Sequence, residues 1–218
     1  MNTAIESIPP QALLLIGPGC PHCVALLEVM TRFVKSGDIA QLTIVNVAAS
    51  PDLAQKLAVR TVPWLRLGEF ELDGARSEGE IAQWLQRLNS KEGKRYYFND
   101  LLLSGKLEKV ISLVQNKTDN LRILLSLAAD TELSMKVQLG ISAVFEELQG
   151  SDTLQELVTD LGALSESNNA RVRADAAHFL ALTQNNKSVP YLQRLSNDED
   201  KDVKVIAEEA LADIDKYQ

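Results

Sequence analysis

Two cysteines separated by two residues are the groups in this chain best suited to covalent chemistry. They are Cys20 and Cys23, they enclose Pro21 and His22, and the 218 residues contain no other cysteine. Thiols at this spacing can close into a disulfide, and only a deprotonated thiol attacks another disulfide. The motif therefore predicts a redox-active dithiol in which Cys20 attacks a substrate disulfide and Cys23 resolves the mixed disulfide.

The surrounding sequence places this dithiol at the start of a helix. An apolar run at 13–16 is typical of a strand, a glycine-proline-glycine turn at 17–19 interrupts it, and a helical pattern of apolar residues follows. Free amide groups and the dipole at a helix N-terminus stabilise a thiolate, and a protonated His22 would add to this effect. We therefore expect Cys20 to be a reactive nucleophile.

A second motif lies further along the chain. Thr61, Val62 and Pro63 precede a short apolar run at 64–67. Together with the cysteine motif, this segment resembles the thioredoxin superfamily, over roughly residues 10–90. The resemblance implies that Pro63 is cis, as X-Pro bonds can be at modest cost, and that it faces the dithiol. It also implies that the backbone of Val62, beside Thr61 and Pro63, binds an extended substrate segment.

The order of predicted elements agrees with this resemblance. Strands are predicted at 13–16, 42–47, 64–67 and 69–72, and helices at 21–36, 51–57 and from Ser77 to Leu88. The series is βαβαββα, the smallest form of the thioredoxin fold. Ser77 and Glu80 are expected to form a capping box, and the buried side of the first helix is expected to carry Val24, Leu27, Met30 and Val34.

Three residues depart from the thioredoxin pattern. Gly19 replaces a tryptophan, Leu14 replaces a buried aspartate and Val24 replaces a basic residue. Without the buried acid, glutathione becomes an alternative to thioredoxin reductase as electron donor. Because a histidine within the motif stabilises the reduced thiolate, we expect a reduction potential less negative than the value of about −270 mV for thioredoxin.

A cysteine pair of this spacing also has other uses. It can be half of a zinc site, or it can help to hold an iron–sulfur cluster shared by two chains. A zinc site needs about four ligands, and besides the two cysteines the chain offers only His22 and His178 as nitrogen donors. We therefore predict no metal and no cofactor other than the disulfide itself. A thioredoxin fold without activity is the remaining alternative.

Charge and composition restrict the partners. The net charge is −8, with 7 basic and 9 acidic side chains in residues 1–90 and 15 and 21 in residues 91–218. Nucleic acids and membrane surfaces are not favoured, because both bind clustered Lys and Arg. No transmembrane segment is visible and residues 1–6 do not resemble a secretory signal. We therefore expect a cytoplasmic protein, in a compartment that keeps thiols reduced.

The composition changes after the polar segment 89–94. We place a domain boundary there, with a redox domain at 1–90 and a helical domain at 91–218. Apolar residues at helical spacing predict about seven helices in the second domain. Their ranges are 107–114, 121–129, 133–148, 154–164, 172–182, 189–195 and 203–214.

The helical domain contains an internal repeat. Residues 172–180 align with residues 203–211 at an offset of 31, and residues 135–139 form a weaker third copy. The pattern resembles HEAT repeats, whose paired helices stack because neither buries its apolar face alone. In such repeats Arg173 and Lys204 would each pair with an acidic turn residue of an adjacent repeat.

These observations favour a thiol–disulfide oxidoreductase that acts on protein disulfides. Stacked helices form an extended surface suited to protein recognition, so the helical domain is expected to bind the client protein. The alternative is an adaptor or redox sensor, in which the helical array binds a partner and the first domain is not catalytic. The reactivity of Cys20 distinguishes the two.

Overall fold

The computed structural model of this chain describes residues 9–214. It divides into two compact units, of which the N-terminal unit ends at Gly93 and the C-terminal unit begins at Lys94. Within residues 9–214, every helix is too short or too polar to cross a membrane.

The N-terminal unit has the predicted order of elements, βαβαββα. Its strands are β1 (Gln11–Ile16), β2 (Gln41–Asn46), β3 (Trp64–Leu67) and β4 (Phe70–Asp73). Its helices are α1 (Pro21–Ser36), α2 (Pro51–Lys56) and α3 (Glu78–Arg87). This is a thioredoxin-like arrangement, as the sequence predicts.

The four strands form one mixed sheet in the order β2-β1-β3-β4. Strand β1 is parallel to β2 and antiparallel to β3, so that Leu14 lies opposite both Ile44 and Leu65. Strands β3 and β4 form the predicted hairpin around Gly68, whose φ of 55° lies in the left-handed region that glycine favours. Because β1 is an inner strand, the turn after Ile16 lies near the middle of one end of the sheet, where β1 and β2 terminate.

Helix α1 buries a different stripe from the predicted one. The buried residues are Cys23, Leu26, Val29 and Met30, whereas the Val24 side chain is 60% exposed. The prediction was therefore wrong for Val24, because the apolar pattern continues onto the exposed side of the helix and periodicity alone does not show which stripe faces the sheet. The buried stripe includes one of the two cysteines.

The ends of α1 and α3 are fixed by local signals. Pro21 occupies the first turn of α1, and Gly37 ends the helix with a φ of 88°. At α3, the Ser77 hydroxyl accepts a hydrogen bond from the Glu80 amide at 3.3 Å, and the Glu80 carboxylate accepts one from the Ser77 amide at 2.8 Å. The predicted capping box is confirmed.

The segment predicted as a polar linker is partly helical. Helix α4 begins at Lys91 and ends at Leu103. The Ser90 hydroxyl accepts a hydrogen bond from the Gly93 amide and donates one to the Arg87 carbonyl, each at 2.9 Å. A Cβ on Gly93 would overlap this carbonyl. The serine is therefore a helix start signal inside the polar segment.

The C-terminal unit is helical, with more helices than predicted. In the described residues α4 is followed by eight further α-helices and a short 3₁₀ helix at Asn186–Ser188. The predicted helix at 154–164 is divided into two. The eight are α5 (Leu107–Val114), α6 (Thr118–Ala128), α7 (Met135–Glu147), α8 (Asp152–Gln155), α9 (Val158–Leu164), α10 (Ala170–Leu182), α11 (Val189–Leu195) and α12 (Lys201–Ile214).

The helices from α5 onward form two rows. In one row α5 contacts α7, α7 contacts α10, and α10 contacts α12. In the other, α6 contacts α8 and α9 contacts the 3₁₀ helix that precedes α11. Phe145 and Phe179 stack between α7 and α10, with ring centroids 4.1 Å apart. The chain therefore crosses from row to row as it advances through the unit.

Side-chain contacts show that neighbouring helices of one row are stacked in register. Three polar contacts each join residues that are 38 positions apart, at 3.0, 2.7 and 3.2 Å. They are Thr153 with the Gln115 carbonyl, Thr118 with Glu156, and Arg122 with Asp160. Because the spacing along the two segments is the same, α6 and the α8–α9 segment lie side by side in the same direction.

The two clear copies of the sequence repeat begin with the same cap. The Asn169 side chain accepts a hydrogen bond from the Val172 amide at 3.4 Å, and Asp200 accepts one from the Val203 amide at 3.3 Å. Ser134, which begins the weaker copy, makes no such bond through its side chain. The 31-residue spacing read from the sequence is thus also the spacing of a local structural feature.

Candidate dithiol site

The turn between β1 and α1 presents the first cysteine at the helix N-terminus. Gly19 has a φ of 70°, which a glycine adopts without strain. Cys20 is extended, with φ −92° and ψ 104°, and it is the N-cap residue of α1. Pro21 follows at the start of the helix. The local sequence therefore places the Cys20 side chain beside the free amides of the first turn.

The two cysteines form a disulfide with their Cα atoms 5.3 Å apart. Cys20 is half-buried, whereas Cys23 is only 3% exposed. Pro21 and His22 between them are both exposed. An incoming sulfur can therefore reach Cys20 and not Cys23, which is the geometry that the predicted roles of attack and resolution require.

One hydrogen bond links the helix start directly to the outer sulfur. The Cys23 amide donates to Cys20 Sγ at 3.1 Å. When Cys20 is reduced, the same donor would favour the thiolate over the thiol, because a hydrogen bond to the charged form lowers a pKa. The backbone of α1 alone thus supplies part of the activation that the sequence predicts.

The segment with Pro63 meets the dithiol. The Val62–Pro63 peptide bond is cis, and the Val62 carbonyl oxygen lies 3.8 Å from Cys20 Sγ. Pro63 is buried, and its carbonyl accepts a hydrogen bond from the Gly74 amide at 2.9 Å. Two motifs 42 residues apart are therefore joined in one site.

The backbone of Val62 offers an open hydrogen-bonding edge. No partner for its amide is found within residues 9–214. Val62 itself is half-buried and the neighbouring Thr61 is exposed. An extended peptide could therefore pair with this residue next to the sulfur, in the manner of β-strand addition. Thr61 lies beside this edge in the sequence.

One contributor to the site is absent from the sequence prediction. The Gly74 amide anchors the Pro63 carbonyl from the turn between β4 and α3, where the φ of Gly74 is 79°. The aspartate-glycine pair at 73–74, just before a capped helix, is a turn signal that marks this residue. It gave no indication, however, that the turn contacts the proline segment.

Within residues 9–93, the charged groups whose pKa departs from the usual value are Arg32 on α1 and Glu80 on α3. The backbone and hydroxyl of Ser77 hold the pKa of Glu80 below its ordinary range. A hydrogen bond from Arg32 to Glu78 raises the pKa of that arginine. Leu14, at the position where thioredoxins bury an acid, is fully buried. These ionic contacts stabilise a helix and do not involve the dithiol.

No arrangement suited to a metal ion accompanies the cysteines. Across residues 9–214, no three His, Cys, Asp or Glu side chains are grouped so that they could hold one. His178, the second candidate nitrogen donor, lies in the C-terminal unit with its Nε2 3.4 Å from a Glu146 oxygen. The structure thus places the two histidines in different units.

In the C-terminal unit the two repeated basic residues behave differently. Arg173 of α10 donates two hydrogen bonds, at 2.8 and 2.7 Å, to the carboxylate of Asp198, which lies in the turn between α11 and α12. This is the pairing expected of a repeat. Lys204 instead lies 3.9 Å from Glu208 of its own helix. Within residues 9–214, the predicted pairing of Lys204 with an acidic turn residue is not found.

A second arginine-to-turn contact occurs earlier in this unit. Arg95 bonds to Asp130 at 2.6 Å, in the turn between α6 and α7, and Arg171 donates to the backbone carbonyl of Asp130 at 2.7 Å. The Glu132 amide and Arg95 lower the pKa of Asp130. Arg95 and Asp130 are 35 positions apart, whereas Arg173 and Asp198 are 25 positions apart, so one spacing in the sequence does not reveal both pairs.

Comparison with known families supports the assignment of the first unit. Residues 12–86 match a family model described as a thioredoxin domain. The first unit is thioredoxin-like. The match covers about a third of the chain and includes both cysteines and the Val62–Pro63 segment. No curated protein matches the chain.

Proposed function

We propose that this protein is a thiol–disulfide oxidoreductase that exchanges disulfides with protein clients through Cys20 and Cys23. One observation carries the proposal. The accessible sulfur of Cys20 lies at a helix N-terminus, 3.8 Å from the backbone oxygen of Val62, with Cys23 buried behind it. Disulfide exchange needs an accessible attacking sulfur and a protected resolving sulfur. It also needs a surface that holds the client beside the attacking sulfur.

The exchange follows from this placement. In the reductive direction, the Cys20 thiolate attacks one sulfur of the client disulfide, the client S–S bond breaks, and the released client sulfur takes the electron pair and then a proton from water. The Cys23 thiolate attacks Cys20 Sγ and releases the second client thiolate. The client gains two electrons, and the protein is left with the Cys20–Cys23 disulfide. The reverse sequence oxidises a client dithiol.

The exposed residues of the motif act on the first step. A protonated His22 stabilises the Cys20 thiolate electrostatically, and Pro21 fixes the first turn so that the sulfur stays at the helix start. The backbone of Val62, with Thr61 and Pro63 beside it, holds an extended client segment. A thiol-based reductant then restores the dithiol, either glutathione or the active site of thioredoxin reductase.

We propose in addition that the C-terminal unit binds the client. Stacked helices expose a wide surface, and here three large apolar side chains are exposed close together. Met135 and Leu139 lie on α7 with 74% and 66% of their surface exposed, and Leu103 is 45% exposed at the end of α4. Lys136 of α7 donates to the Leu103 carbonyl at 2.6 Å, so the three are neighbours. Grouped apolar residues are typical of protein-binding surfaces.

The two single-cysteine variants test the exchange reaction. Cys23→Ser should form a stable mixed disulfide with a peptide disulfide, because the resolving thiol is gone, and mass spectrometry should locate the adduct on Cys20. Cys20→Ser is the matched control and should form none, because Cys23 is buried. Equal labelling of the two variants, or labelling of neither, would contradict the proposed roles.

The client surface has its own test. In the Cys23→Ser background, Leu139→Asp should reduce the capture of disulfide-bonded proteins from a cell extract several-fold. Val205→Asp serves as the control, because Val205 is also an exposed apolar residue of this unit, 50% exposed on α12. Capture of a short peptide disulfide should be the same in both. Equal protein capture by the two variants would contradict a role for α7 in client binding.

A further inference from the structure

Gly17 approaches the proline segment so closely that a side chain there would be in tight contact with Val62. A Cβ on Gly17 would lie 3.1 Å from Val62 Cγ2 and 3.8 Å from Val47 Cγ2. Gly17 is not among the residues with positive φ, so its backbone conformation is open to any amino acid. The close approach, and not the backbone angle, is therefore what favours glycine at this position.

The residue that Gly17 approaches, Val62, is also the one whose backbone meets the dithiol. The Val62 carbonyl lies 3.8 Å from Cys20 Sγ. The next residue, Pro63, is held from the other side by its hydrogen bond from Gly74 at 2.9 Å. Because that bond anchors one end of the segment, a push from residue 17 would displace the Val62 side rather than move the segment as a whole.

We propose that Gly17 is a positioning residue, which lets Val62 approach closely enough to place its open backbone edge beside the Cys20 sulfur. The inference rests on the proposed function, in which that edge binds an extended client peptide. Gly17 touches neither client nor sulfur in this scheme and acts through Val62 alone. Its effect should therefore depend on whether the substrate has a peptide backbone.

The size of the effect follows from the geometry. An added methyl group at 3.1 Å would shift Val62 by a few tenths of an ångström. Since a misplacement of 1 Å can cost about 10²-fold in rate, a shift of that size should slow exchange with a peptide disulfide by roughly four- to tenfold. A small aromatic disulfide without a peptide backbone makes no use of the Val62 edge, so its rate should change by less than about twofold.

Four variants of the full chain isolate this contact. Gly17→Ala adds the methyl group, and Val62→Ala removes the Cγ2 that it would meet while keeping the backbone edge. The double variant Gly17→Ala/Val62→Ala restores the space. Gly79→Ala is the matched control, because Gly79 is an exposed glycine of α3 with nothing within 4 Å of an added Cβ. Rates are measured with a peptide disulfide and with dithiobis(nitrobenzoate).

The expected result is a selective loss. Gly17→Ala should slow the peptide reaction roughly four- to tenfold relative to Gly79→Ala, by the distance dependence above, with the aromatic disulfide little affected. The double variant should react with the peptide disulfide at the same rate as Val62→Ala. The inference is wrong if Gly17→Ala and Gly79→Ala react with the peptide disulfide at the same rate, or if Gly17→Ala slows the reactions with both disulfides alike. It is also wrong if Gly17→Ala slows the peptide reaction of the Val62→Ala protein as much as that of the wild type.

Two further outcomes are also decisive. If Gly17→Ala fails to fold but the double variant folds and matches Val62→Ala, the contact is supported. If neither the single nor the double variant that carries Gly17→Ala folds, glycine is needed for another reason and the inference fails. A wild-type protein that reduces neither disulfide contradicts the proposed function itself, whereas an active wild type with an unaffected Gly17→Ala contradicts this inference alone.

Discussion

The two units of this protein hold their turns in different ways. In the N-terminal unit, glycine conformation does so: Gly19, Gly37, Gly68 and Gly74 all have positive φ. In the C-terminal unit, Gly105 and Gly150 also have positive φ, and arginine side chains in addition bind aspartates in the turns, as Arg173 does with Asp198. Both units should therefore be sensitive to changes at these glycines, and the C-terminal unit also to changes in charge.

The difference extends to the distance over which contacts form. The dithiol meets Val62 across 42 residues of sequence, and a single exchange site results. In the C-terminal unit the contacts recur at regular spacing along stacked helices, such as the three at a separation of 38. One unit brings distant residues to one point, and the other distributes similar contacts along a surface. Catalysis suits the first arrangement and recognition suits the second.

The largest effect should come from breaking the most buried of the arginine–aspartate pairs. Arg173 and Asp198 are only 11% and 10% exposed in their side chains. Arg173→Ala leaves the carboxylate with poor solvation and should lower the free energy of unfolding by about 2 kcal/mol. Urea unfolding followed by far-UV circular dichroism, which reports the helix-rich C-terminal unit, measures this change.

Lys204→Ala is the matched control at the equivalent position of the repeat. Its pair with Glu208 is exposed and lies within one helix, so the loss should stay below about 0.5 kcal/mol. Similar losses in the two variants would show that the arginine–aspartate pair does not hold the turn, and the contrast between the two units would lose its main support.

A smaller effect should follow from removing a cap in the N-terminal unit. Ser77→Ala removes the side-chain half of the capping box of α3 and should cost about 1 kcal/mol. Tryptophan fluorescence follows this unit, because both tryptophans, Trp64 and Trp84, are buried in it. Ser134 begins α7 without a side-chain cap, so Ser134→Ala should be almost neutral by circular dichroism. A cost at Ser134 as large as at Ser77 would contradict this assignment.

The smallest effect should appear in how the free energy of unfolding changes at acid pH. Hydrogen bonds from Arg173 hold the pKa of Asp198 below its ordinary value. A carboxylate with a lowered folded-state pKa stabilises the protein above its unfolded-state pKa of about 3.9, and this contribution is lost as the pH falls through the folded-state value. Asp198→Asn should therefore flatten the loss of C-terminal stability below about pH 4.

Asp175 provides a contrast of opposite sign. Burial raises its pKa, so its charged form destabilises the folded state, and its contribution is favourable at low pH and lost as the pH rises through the raised value. Asp175→Asn should therefore increase stability at neutral pH relative to acid pH. Equal pH profiles for the two asparagine variants would contradict both assignments.

Much of the N-terminal unit could be predicted because its sequence carries local signals. Pro21 and the glycine at 37 delimit α1, and Ser77 with Glu80 starts α3. The contact of Val62 with Cys20 is of another kind. No spacing rule predicts it, and only the resemblance to a known fold placed the two motifs together.

The errors share a physical cause. Val24 is exposed although its spacing fits an apolar stripe, and the predicted helix at 154–164 divides near Leu157 without any glycine or proline. In both places the outcome depends on which neighbour a side chain meets. At the second, Thr153 and Glu156 bond to the residues around the start of α6. Periodicity describes one element at a time, so it does not carry this information.

The reduction potential of the Cys20–Cys23 pair, measured by equilibration against glutathione in the 218-residue chain, tests the proposed oxidoreductase most directly. Because the motif contains a histidine and the Cys23 amide donates to the outer sulfur, we expect a reversible couple with a potential less negative than about −270 mV, the value of thioredoxin. A potential at or below that value would contradict the predicted stabilisation of the thiolate. Failure to form the intramolecular disulfide reversibly would contradict the oxidoreductase itself and favour an adaptor.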